Sequence, residues 1–80
     1  MPMRVKVRNA ETGDTIDMEI EPENAVDEII ESAATFWDKS AGAYVLRRGK
    51  AILRGQAAAD ASGVRDGDVL ELIPDPEGGL

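Results

Sequence analysis

The sequence predicts an α+β fold in which a mixed sheet covers a single helix. Two segments near the start alternate strictly between apolar and charged side chains. One central stretch repeats its apolar residues at helical spacing. The second half returns to short apolar runs separated by glycine-bearing turns.

The first alternating segment is Met-Arg-Val-Lys-Val-Arg at residues 3–8, which turns Met3, Val5 and Val7 to one face. Residues 9–14, Asn-Ala-Glu-Thr-Gly-Asp, are turn formers. Residues 15–21 alternate again, with Ile16, Met18 and Ile20 inward and Asp17, Glu19 and Glu21 outward. The outward charges have opposite sign on the two segments, so an antiparallel hairpin sets Arg4, Lys6 and Arg8 beside Asp17 and Glu19. Pro22 interrupts the pattern. Asn24 is the expected helix N-cap, with Asp27 and Glu28 in the first turn where the helix dipole favours acids. Val26, Ile29, Ile30, Ala33, Ala34 and Trp37 form one apolar stripe, and the exit is expected at Gly42, after Lys39 in the last turn. The helix acids Asp27, Glu28 and Glu31 read as a solvated face.

Strands follow over residues 43–48 and 51–53, joined by a Gly49-Lys50 turn. Residues 56–63 are alanine-rich and read as a loop with a helical turn. Residues 64–68 make a further turn, and residues 69–73 are the last strand, stopped by Pro74. Asp66-Gly67-Asp68 lacks the length and closing glutamate of a calcium loop. The expected organisation is one domain over 1–74 and a flexible arm over 75–80, with Pro74-Asp75-Pro76 holding the arm away from the body.

Composition narrows the chemistry. Eighty residues make at most one domain, with one compact core. The chain contains no cysteine and no histidine, which removes disulfides, thiolate and imidazole catalysis, and the usual Cys/His zinc sites. Carboxylates are scattered, with no base–nucleophile pair, so the chain is not expected to be an enzyme and no cofactor is called for. No apolar run is long enough to span a membrane, and no signal-peptide pattern opens the chain. A cytoplasmic, monomeric protein is the expectation. The net charge of −7 disfavours nucleic acid and anionic lipid and suits a basic protein partner.

With these elements in order, the sequence resembles ubiquitin and its prokaryotic ubiquitin-like relatives. Residues 15–22, Thr-Ile-Asp-Met-Glu-Ile-Glu-Pro, resemble the second strand and the Glu-Pro leading into the helix. Val45-Leu46 and Gly49-Lys50-Ala51-Ile52 resemble the third strand and its Gly-Lys turn, and residues 63–79 lie on the last strand and tail, ending on Gly78-Gly79. The resemblance implies a β-grasp fold, ββαββ. It also implies a protein modifier whose C-terminal glycine carboxylate is activated with ATP, passed to a thiol and joined to a target lysine. Its partners would be an activating enzyme, a possible conjugating enzyme and a deconjugating peptidase.

Leu80 follows the glycine pair, so a modifier of this sequence is a precursor cleaved between Gly79 and Leu80. Asp75 and Glu77 stand where the family has basic residues, which implies a dedicated activating enzyme. Leu46 and Ile73 match members of ubiquitin's apolar binding patch and are expected on the face away from the helix, where Leu46→Ala would spare stability. For the third member, the hairpin loop offers only Ala10 or Glu11. Lys50 matches a chain-forming lysine, although Gly-Lys is equally a soluble turn. Two other family activities fit parts of the sequence. One is a sulfur carrier with a thiocarboxylate at Gly79. The other is a non-conjugated interaction domain like the type VII secretion subunits, which resemble the Gly63 to Asp68 turn.

Overall fold

The computed structural model describes residues 1–77. Five strands and one helix follow in the order β1 (Met3–Asn9), β2 (Thr15–Ile20), α1 (Val26–Phe36), β3 (Tyr44–Arg48), β4 (Ala51–Leu53) and β5 (Val69–Pro74). Single 3-10 turns at Ala41–Ala43 and Asp60–Ser62 lie in the connections. The sheet order is β2-β1-β5-β3-β4. β1 and β5 run parallel, and the other neighbours antiparallel. The expected mixed sheet over one helix is the observed fold.

The pleat sorts side chains as the alternation predicts. Val5, Val7, Ile20, Leu46, Leu53, Leu70 and Leu72 are buried together with Val26, Ile29, Ile30 and Ala33 of the helix. Met3, Ile16, Met18 and Trp37 are partly buried against this cluster. Removing such side chains from water contributes about 1.5–3 kcal/mol for each large aliphatic.

The outward hairpin charges also meet. Lys6 Nζ lies 2.9 Å from Asp17 Oδ1, and Arg4 Nη2 lies 3.7 Å from Glu19 Oε1. Arg8 instead reaches the opposite way, to Glu71 on β5.

The helix ends depart from expectation. Its N-cap is Ala25 rather than Asn24. The Asn24 Oδ1 instead accepts the Glu21 N–H at 2.8 Å, closing the turn at Pro22. The Glu28 Oε1 accepts the Ala25 N–H at 2.7 Å. The N–H groups of Val26 and Asp27 donate to the carbonyls of Ala57 and Gly55, each at 3.0 Å. The Asp27 carboxylate accepts the Gly55 N–H at 2.8 Å and the Gln56 side-chain amide at 3.0 Å. Asp27 and Glu28 therefore have structural partners, Asp27 joining the helix to the loop after β4, and of the three helix acids only Glu31 keeps the solvated role. The alanine-rich loop supplies carbonyls to N–H groups that a helix start leaves unpaired, and Ala59 within it is buried. The helix exit comes at Trp37, well before Gly42.

Candidate functional site

The outward sheet face is defined by register. Lys6 and Arg8 of β1 lie opposite Val69 and Glu71 of β5. Glu71 and Ile73 lie opposite Arg47 and Val45 of β3, and Arg47 lies opposite Ile52 of β4. Glu71 is the hub. Its Oε1 accepts from Arg47 Nε at 2.9 Å and from Arg47 Nη2, and its Oε2 accepts from Arg8 Nη1 at 3.1 Å. The Arg47 bond above all holds the Glu71 carboxyl below its ordinary pKa, against partial desolvation and with help from Arg8.

Leu46 is not on this face. It pairs with Leu72, is 0% exposed and belongs to the core under the helix. A match anchored on Gly49-Lys50 sets it one residue out, and a one-residue shift in a strand exchanges the two faces. Its outward neighbours on β3 are Val45, opposite Ile73 and only 2% exposed, and Arg47, opposite Glu71. Ile73 is half-buried. What the face offers is an Arg8–Glu71–Arg47 ion triad with the exposed apolar side chains of Val69 and Ile52 beside it.

The hairpin loop adds a polar contact. The Tyr44 hydroxyl donates to Glu11 Oε1 at 2.7 Å, and this bond to a carboxylate raises the Tyr44 pKa. Lys50 is exposed in the two-residue β3–β4 turn, where Gly49 takes the positive φ of +60° that hairpin turns favour. The Asp66-Gly67-Asp68 segment is a turn fastened to β1 and β3. Asp66 Oδ1 accepts the Arg4 N–H at 2.7 Å, and Asp68 Oδ2 accepts from Arg48 Nε at 2.7 Å and from the Arg65 N–H at 2.8 Å. The Arg48 bond is the main cause of the lowered Asp68 pKa.

The start of the C-terminal arm is held rather than set apart from the body. Arg54 pairs with Asp75 and Glu77. The sequence offered a signal for this, since Asp75 and Glu77 are the only acids beyond Pro74 and Arg54 is a cation just past β4. Gly78, Gly79 and Leu80 lie outside the described residues. Among the described residues, no helix is long and apolar enough to cross a membrane.

No protein-family model matches the chain, and no curated protein matches it by sequence. Solved structures do match. Caldiarchaeum subterraneum ubiquitin superposes with a TM-score of 0.84 at 21% identity, over 94% of this chain and 95% of its own. The UBL domain of Plasmodium falciparum Dsk2 gives a TM-score of 0.84 at 23% identity, over 94% and 100%. A designed protein based on ubiquitin gives 0.83 at 17%, over 94% and 90%. With the sheet order and single helix described above, these likenesses establish that the chain has the ubiquitin-like β-grasp fold.

Proposed function

We propose that this chain is the precursor of a ubiquitin-like protein modifier, cleaved after Gly79 and joined through that glycine to target lysines. The observation that carries this reading is the pairing of a ubiquitin-like body with a Gly78-Gly79 sequence just beyond Pro74, where the central strand of that body ends. An activating enzyme would adenylate the Gly79 carboxylate with release of pyrophosphate. A cysteine thiolate would displace AMP, and a lysine amine would displace the thiol to leave an isopeptide bond. The chain's own contribution is binding and presentation. Glycines lacking Cβ allow close backbone approach in a narrow channel, and a deconjugating peptidase would reverse the bond.

Intact-mass analysis of the protein from its native host tests the proposal. Loss of Leu80 together with isopeptide adducts on other proteins is the expected result, and Gly79→Ala removes the adducts. Sulfur in place of a terminal carboxylate oxygen would make the chain a sulfur carrier. A second reading, a non-covalent interaction domain, draws on the equally strong likeness to the Dsk2 UBL domain. An untouched Leu80 with no adducts is the outcome that would replace the modifier reading with that one.

A further inference from the structure

Beyond Pro74 the chain stays in contact with the body through Asp75 and Glu77. The Asp75 N–H donates to the Ala43 carbonyl at 2.9 Å, which carries the contact between β5 and the β3 side one residue past the proline. Asp75 Oδ1 then accepts the Glu77 N–H at 2.9 Å, an Asx turn around Pro76. Asp75 Oδ2 accepts from Arg54 Nη1 at 3.1 Å, and the same nitrogen lies 3.6 Å from Glu77 Oε1. Arg54 follows β4, which lies on the other side of β3 from β5. One guanidinium thus reaches across the end of β3 and holds both carboxylates at the root of the arm. The Asp75 side chain is 14% exposed and that of Glu77 80%, so the first contact is sheltered and the second is open to water.

We propose that Arg54, Asp75 and Glu77 form an electrostatic clasp that fastens the root of the C-terminal arm, through Glu77, to the body. A partner that grips the arm opens the clasp by presenting its own basic side chains to the two carboxylates. The partner's part rests on the modifier reading above, whereas the clasp itself does not. The Glu77 contact is open to water and the shared guanidinium is 39% exposed, so salt and competing cations reach the clasp and make it releasable. A guanidinium in a drier channel attracts the same carboxylates more strongly. An acid-lined channel would meet like charge and be rejected.

Backbone amide relaxation by NMR on the full chain tests this without any activating enzyme. In the unaltered protein at low salt, the Glu77 order parameter should approach the value of about 0.85 found for rigid backbone, and Arg54→Ala should bring it below about 0.6. Asp75→Asn, which keeps the Asx turn but loses the charge, should loosen Glu77 while leaving the strands unchanged. Millimolar tri-arginine should loosen Glu77 in the unaltered protein and have no further effect in Arg54→Ala. An order parameter at Glu77 that is the same with and without Arg54 would overturn the clasp. Failure of tri-arginine to move it would overturn release by a basic partner. A clasp demonstrated in this way in a protein that forms no adducts would leave the inference standing and remove the modifier reading instead.

Discussion

Leu46 sits at the meeting point of two arguments about single residues. By its distance from Gly49-Lys50 it reads as a surface leucine, but its pairing with Leu72 places it fully inside. Leu46→Ala should therefore lower unfolding stability by about 2–5 kcal/mol, the range for truncating a buried leucine, as measured by urea denaturation. Little change would return the residue to the surface. The paired carboxylates give a second residue-scale prediction. Asp68 and Glu71 have pKa values depressed by Arg48 and Arg47 respectively. Carboxylates of the unfolded chain titrate near about 4. The stabilisation from each is thus fully present above that value and lost as pH falls through the lower folded value. Protonating the many unpaired acids relieves self-repulsion in the opposite sense, but those charges are exposed and screened. The urea midpoint should fall as pH drops from about 4 to about 2. Asp68→Asn should lose about 1–2 kcal/mol at neutral pH and show a shallower acid slope.

At the scale of elements, what was legible followed periodicity. The alternation over residues 3–8 and 15–20, and the stripe from Val26 to Ala34, depend only on which side chains are apolar, and each forms the element it signals. The ends of the helix were not legible because their partners are distant or unusual. Asn24 has the side chain of an N-cap but spends it on Glu21, while the first helical N–H groups find carbonyls far along the chain, at Gly55 and Ala57. The C-terminus closes as a Schellman motif, with the Asp38 N–H donating to the Thr35 carbonyl at 3.1 Å and the Lys39 N–H to the Ala34 carbonyl at 2.8 Å. Asp38 holds the left-handed position, φ +58°, that glycine usually fills. Gly42 drew the expected exit because it is the first glycine in reach. Asp38→Gly should relieve the Cβ strain and raise stability by roughly 0.5 kcal/mol, while Asp38→Ala should lower it by about 1 kcal/mol. Thermal melts of the pair would check both signs, and an Asp38→Gly variant less stable than the parent would refute the strain.

At the scale of the whole molecule, charge and topology divide the labour. By register the outward sheet face carries Arg4, Lys6, Arg8 and Arg47 against Asp17, Glu19 and Glu71. The excess of acid in a chain of net charge −7 therefore lies on the remaining surface. The hairpin and the helix stripe announced the two layers, but neither announced that the last strand becomes the middle one. That placement depends on β5 pairing parallel with β1, from the other end of the chain, and antiparallel with β3. Because β5 is central, its loss would remove two ladders and expose Val7, Leu46 and their neighbours, whereas Asp75 and Glu77 contribute one backbone hydrogen bond to Ala43, an Asx turn and two ion pairs with Arg54, each worth about 0–1.5 kcal/mol. A chain ending at Pro74 should then still fold cooperatively, losing no more than about 3 kcal/mol, and a chain ending at Asp68 should not fold. Circular dichroism and urea titration of the two truncations measure this directly. Cooperative unfolding of the chain that stops at Asp68 would mean that the body does not depend on its closing strand, and a large loss in the chain that stops at Pro74 would make the arm part of the body.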